Sequence, residues 1–196
     1  VISIWILEFL FLKKKPNDLF NNKKVLLWEL LLWVIHYTPV ANILAVISSF
    51  GLFNILKYSL KDFSLNFLVN FNYNIKVIIL ILIVDLTGYL GHVLLHKFKL
   101  FWNFHQFHHS AKSFNILTVH RVHFFEISFI KVTQTVSLII IGGDLVTFWW
   151  YYVLSNIIGH LKHSNFVFNY PWVLKYLIQS PAHHWVHHSS KSIHYD

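Results

Sequence analysis

Cysteine and methionine are both absent from these 196 residues, and only 12% of the residues are charged. Without cysteine there is no disulfide framework and no thiolate metal site, and redox compartment cannot be read from thiol usage. A soluble domain carries roughly a quarter charged residues. The shortage of charge, set beside 56% hydrophobic residues, excludes an ordinary water-facing surface. The formal charge of +8 raises the question of nucleic acid. Its distribution answers it: Lys13, Lys14, Lys15, Lys23, Lys24, Lys97 and Lys99 flank apolar runs and do not line one polar face. That is the pattern of a positive-inside membrane protein, and no nucleic-acid partner is expected. The first residue is Val1, and a hydrophobic run follows with no charged segment before it. The chain is therefore expected to start partway through a membrane helix, not with a signal peptide.

The apolar runs give an outline. Residues 1–12 read as the end of a span, and 13–24 (KKKPNDLFNNKK) as a polar, turn-rich loop. Residues 25–53 are long enough for one membrane helix, kinked at Pro39. Residues 54–74 mix lysines with apolar groups at helical spacing and suggest an interfacial segment. Residues 75–96 form a further span. Residues 124–141 and 145–159 read as a short helical hairpin about the turn Gly142-Gly143-Asp144, with Trp149, Trp150, Tyr151 and Tyr152 near its tip as an aromatic belt. The expected architecture is all-α: an integral-membrane bundle of about four to five membrane helices, including the hairpin, with a histidine-rich helical cap. The expected division is an N-terminal membrane region, 1–74, and a catalytic region, 75–196. If the 13–24 loop is cytoplasmic, every histidine cluster falls on the cytoplasmic side with most of the remaining lysines.

Histidine is what the chain has in excess: fifteen, against eight acidic residues. His92 and His96 are four apart at the end of the third run, which puts both imidazoles on one helical face. Asp85 shares that face, and a carboxylate in a membrane helix needs a partner. It is expected to accept a hydrogen bond from a ligand imidazole and orient it. His105, His108 and His109 make an HxxHH pattern, and His184, His187 and His188 repeat it. Between them His160 and His163 share a face with Asn156. One of the two is expected to complete a ligand set and the other to support it, with Asn156 alongside. His123 is either a ligand or a partner of Glu126. His194 is a further supporting group, and His36 reads as a core histidine. Eight or nine imidazoles from three regions suit two metal ions. Imidazole accepts iron, zinc, copper or nickel, so this chemistry does not choose the metal.

At these residues the sequence resembles the fatty acid hydroxylase/sterol desaturase superfamily of membrane di-iron enzymes, over roughly 81–196. The resemblance rests on Asp85 with His92-VLL-His96, on FHQFHHSAK (104–112), RVHFFE (121–126), HSN (163–165) and SPAHHWVHHS (180–189), in the family's order. The last block is most similar to bacterial sterol-desaturase-like proteins and alkylglycerol monooxygenases. The resemblance implies metal ligation by His92, His96, His105, His108, His109, His163, His184, His187 and His188. His160 ranks below His163, because its place in the family is often not histidine. Phe124 stands where relatives have proline. The final motif usually continues beyond Asp196, so the catalytic region is expected to be truncated at its C-terminus.

The resemblance further implies two Fe ions (a site zinc can also enter), O2 as cosubstrate, and an external electron donor such as a cytochrome b5-like protein, ferredoxin or reductase. The substrate it implies is a lipid, fatty acyl, sterol-like or alkylglycerol, that is hydroxylated or desaturated. Two other classes stand against it. A membrane zinc hydrolase needs a general base, for which Glu126 is the candidate, and no HExxH is present. A histidine-rich metal transporter needs ionisable groups along the middle of several spans, whereas here they gather at one end.

Overall fold

The computed structural model describes residues 23–37, 51–61, 65, 68, 70–111, 115–164, 168, 170–173 and 179–189. Among these the regular structure is helical throughout, with no β-strand: α1 Lys23–Tyr37, α2 Tyr73–Lys97, α3 Lys99–His109, a 3-10 turn Ile116–His120, α4 Phe124–Ile140, α5 Leu145–Lys162 and α6 Pro181–His187. Residues 51–59 are also helical. The expected kink at Pro39, the 13–24 loop and His194 lie outside the described residues. The chain divides into two compact units. One takes 1–36, 102–123 and 155–196, the other 37–101 and 124–154.

The second unit is built on α2. The Asn72 side chain accepts the Asn74 N–H at 3.0 Å and caps its start, and extended backbone at Phe98 ends it. Its 25 residues rise about 37 Å, more than the ~30 Å of a bilayer core. Among the described residues it is the helix long and apolar enough to cross a membrane. Ile75, Ile78, Leu82, Leu86 and Leu90 are exposed along it. Leu80 and Val84 turn inward onto Leu138, Ile139, Ile141 and Tyr151.

The turn between α4 and α5 forms where the sequence suggests. Gly142 adopts φ 81°, a left-handed conformation that costs glycine little, and the Gly143 N–H returns to the Leu138 carbonyl at 2.8 Å. Helix α2 packs on α4 through small and polar groups, the mode that serves where no hydrophobic effect drives helices together. Thr87 and Ser137 hydroxyls lie 3.0 Å apart. A Cβ on Gly88 would meet Gln134 Nε2 at 2.6 Å, and one on Gly91 would meet Ile130 Cδ1 at 2.9 Å. The expected aromatic belt is only partly exposed. Trp149, Trp150 and Tyr152 face outward, but Tyr151 is buried and its hydroxyl accepts from Gln134 Nε2 at 2.8 Å. A phenol that can satisfy an amide inside the hairpin does not need the interface.

The first unit has a smaller apolar core: Ile116 and Leu117 of the 3-10 turn against Val25, Leu26 and Trp33 of α1. Asn115 caps that turn reciprocally with Thr118. Helix α1 is unusual in what it hides. Leu27, Trp28, Leu31, Val34 and Ile35 are exposed, while its one acid, Glu29, is 0% exposed and bonds Arg121 Nη1 at 2.8 Å.

Candidate metal centre

Three stretches of the first unit supply a histidine cluster. In α3, His105, His108 and His109 stand at i, i+3 and i+4 and so share one face; His105 and His108 are buried. Helix α6 is only seven residues long and is defined at its start. Ser180 is extended and its Oγ accepts the His183 N–H at 3.3 Å, and Pro181 fits the first turn, where no N–H is needed. That start brings His184 and His187 inward, with His188 as the C-cap. His163 follows the last residue of α5, its N–H still bonded to the Gly159 carbonyl at 3.3 Å.

His108, His163, His184 and His188 each direct one ring nitrogen to a common place, all four within 4.8 Å of one another. The Nε2–Nε2 separations are 3.2 Å for His163–His108, 3.0 Å for His184–His163 and 3.2 Å for His188–His184. Nitrogens about 2.0–2.1 Å from one ion stand about 3.0 Å apart at a right angle and about 3.4 Å at a tetrahedral one. The observed separations fall in that interval.

Tautomers test the fit without reference to any relative. A neutral imidazole has one N–H. His108 Nδ1 lies 3.1 Å from the Arg121 carbonyl, and His163 Nδ1 lies 2.8 Å from the Gly159 carbonyl. Carbonyls only accept, so each ring's proton sits on Nδ1 and each Nε2 carries a lone pair. Those two lone pairs face one another at 3.2 Å. Such a contact is repulsive unless a cation lies beside it. An imidazolium proton is disfavoured there, because burial and the neighbouring rings hold His163 and His184 well below the usual histidine range, and His188 with them. The residues fit a transition-metal ion bound by neutral imidazoles, two of which, His108 and His163, have their outer nitrogens fixed by main-chain acceptors.

The other expected ligands divide by unit. His105, His109 and His187 adjoin the tetrad. His105 and His109 bring Nε2 atoms to 3.1 Å, and the His109 ring lies 4.9 Å from that of His187 and 4.4 Å from that of His188. His105 is fully buried, which pushes its pKa down to about 4. In the second unit, His92 and His96 place their Nε2 atoms 3.2 Å apart at the end of α2, both half-buried. Asp85 is exposed, two turns earlier on the same helix.

Several residues do not join the cluster. His123 is exposed with its ring 4.8 Å from Phe104, and Glu126 is buried in the first turn of α4. His160 turns from the tetrad: its Nδ1 donates to the Asn156 main-chain carbonyl at 2.6 Å, and its ring lies 5.3 Å from His120. Asn156 thus meets a histidine through its backbone. His120 in turn lies 5.0 Å from His36, and burial, with those two neighbours, pushes it to about 3. Sequence reading missed the Arg121 and Gly159 carbonyls, which any residue type supplies, and the Glu29–Arg121 pair. The second had a signal: one glutamate in an otherwise apolar run.

These features define a helical protein whose clustered, buried, neutral histidines suit transition-metal binding. Residues 77–195 match the fatty acid hydroxylase family, and the chain belongs to it. Among curated proteins it is similar to the ornithine lipid hydroxylase OlsE of Rhizobium tropici, 29% identical over 114 residues. The match covers 58% of this chain and 34% of that protein, so the chain spans about a third of its relative's length. No solved structure matches the chain.

Proposed function

We propose that this chain carries the catalytic centre of a membrane-bound, non-haem di-iron oxidoreductase that uses O2 to hydroxylate a lipid. The observation that carries the reading is the pair of opposed lone pairs on His108 and His163 inside a buried all-imidazole tetrad. In this reading His108, His163, His184 and His188 hold one ion. The resemblance implies His92, His96, His105, His109 and His187 as the remaining ligands. When bound, the two ions supply O2 activation and the oxidising power to hydroxylate a C–H bond, with two electrons from an external donor.

The chain's own residues do the rest. Main-chain carbonyls of Arg121 and Gly159 hold the protons of His108 and His163 on Nδ1, which keeps both rings in the ligating tautomer. Burial excludes water and keeps His105, His163, His184 and His188 neutral at physiological pH. The apolar surface of α2, with His92 and His96 at its end, suits a substrate that enters from the bilayer. The lipid-hydroxylase name of the relative supports hydroxylation over desaturation and a polar membrane lipid as substrate. The lysine distribution supports a cytoplasmic site, where Lys97 and Lys99 are available to dock an acidic electron donor. Asp85 belongs to the reading as a group that steadies a ligand imidazole, and Asn156 as the main-chain acceptor of His160; His123, exposed against Phe104, is given no part in it.

The test is to purify the protein with metal and supply lipid, reductant and ¹⁸O2. Iron near two per chain and a lipid product carrying ¹⁸O are expected. Turnover under strict anaerobiosis, or full activity with zinc alone, would overturn the reading in favour of hydrolysis.

A further inference from the structure

Arg121 contributes to the tetrad twice, by its backbone and by its side chain. Its carbonyl accepts the Nδ1 proton of His108 at 3.1 Å, and its own N–H is tied to the Thr118 carbonyl at 3.0 Å. The guanidinium reaches away to two partners: Nη1 donates to Glu29 Oε1 at 2.8 Å, and Nη2 donates to Ser110 Oγ at 2.9 Å. It also lies over the Phe107 ring, 5.4 Å from the centroid. Phe107 and Ser110 flank His108 on either side at the end of α3. The arginine therefore spans from α1 to the turn that carries the ligand.

Glu29 is the far anchor of this arrangement, 92 positions from Arg121 in sequence. It precedes the region that matches the family, 77–195. Its burial on a helix that exposes leucines gives it no role at the surface, and its carboxylate meets a cation that touches the His108 turn. Buried arginine–carboxylate hydrogen bonds are directional and among the strong ones. Loss of the carboxylate leaves a half-buried guanidinium without its charged acceptor, free to reorient toward another one. Reorientation moves the Arg121 main chain, and with it the acceptor that selects the His108 tautomer.

We propose that Glu29 is a positioning residue for the metal ligand His108, acting through Arg121. Helix α1 then sets the ligand field of the centre without contributing a ligand. This rests on the tetrad being a metal site.

The experiment uses the whole chain in detergent or nanodiscs, with Co(II) as the optical probe and a chelator in competition. Variants Glu29→Gln, Glu29→Asp, Arg121→Lys and the double Glu29→Gln/Arg121→Lys are compared. Glu29→Gln is expected to weaken Co(II) binding about 10–100-fold, as loss of an outer hydrogen-bond partner does, and to shift the Co(II) ligand-field bands. Glu29→Asp should recover part of the affinity, and the double variant should be no weaker than the worse single one. If Glu29→Gln does not fold, Arg121→Lys carries the same expectation. Wild-type affinity and bands in the variants would overturn the proposal, as would additive losses in the double variant. Wild-type protein that binds no Co(II) would instead overturn the metal-site reading itself.

Discussion

His108 and His163 face each other through Nε2 atoms 3.2 Å apart while their Nδ1 atoms are committed to the carbonyls of Arg121 and Gly159. Neither ring can turn to relieve the contact without giving up a hydrogen bond to main chain, each worth about 0.5–1.5 kcal/mol. The arrangement is held from outside and repulsive inside, and a cation makes both halves favourable together.

Removal of a tetrad member should therefore differ sharply from removal of an exposed histidine. If the tetrad serves one of two ions, as proposed, His163→Ala lowers iron content from about two to about one per chain. His123→Ala and His183→Ala, both exposed, should leave the content unchanged. Metal analysis of the purified variants checks this, and equal loss in all three would point to general unfolding.

The metal-free protein should lose stability in mild acid. His105 is pushed from 6.5 to about 4 by burial, so the unfolded chain binds its proton first as pH falls. Its contribution is fully present above about pH 6.5 and is lost progressively as pH drops toward 4. For this residue alone the span amounts to about 3 kcal/mol. His163 and His184 shift in the same direction. Urea midpoints of the apo protein at pH 7 and pH 5 test it; a midpoint independent of pH would show that these rings are not buried in the neutral form.

A side chain at Gly88 is expected to displace the Gln134 amide. A Cβ there would lie 2.6 Å from Gln134 Nε2, the group that donates to the Tyr151 hydroxyl. Gly88→Ala should cost about 1–3 kcal/mol, the usual cost of overpacking, and Gly88→Leu more. The pair Gly88→Ala/Gln134→Ala should recover part of the loss. Thermal melts of the three variants in one detergent measure it.

Topology can be read with unusual ease, because a chain without cysteine makes every introduced thiol unique. Single cysteines at the exposed positions Lys99 and Gln179 should react with an impermeant reagent only after the cytoplasmic face is opened. A cysteine at Lys57, also exposed, should react in intact cells. Labelling at Lys99 or Gln179 without opening would place the centre on the other side.

Local rules made much of this legible. The turn at Gly142-Gly143-Asp144 joins α4 to α5 at the expected place, since glycine there satisfies a positive φ. The i, i+3, i+4 spacing in α3 predicted which imidazoles share a face. What escaped was set by tertiary contact. Main-chain acceptors have no sequence signature, so the Arg121 and Gly159 carbonyls could not be foreseen. Tyr151 looked like its exposed aromatic neighbours until Gln134, 17 positions away, supplied a partner. His160 and His163 were equivalent on spacing. The end of α5 separates them: one ring donates back into its own helix, and the other, just beyond it, reaches the tetrad.

The tetrad draws its members from positions 108, 163, 184 and 188, and its direct contacts bridge 55 and 21 residues of chain. An ion held there is a cross-link as well as a reaction centre. By the chain-entropy account of loop closure, a clasp over 55 residues restricts the unfolded chain by about 4 kcal/mol. A protein with no cysteine would thus possess a removable staple, and the seven-residue α6 would owe its attachment to it. Chelation should loosen α6 first, so that proteases cut within 179–189 before they reach α4 and α5.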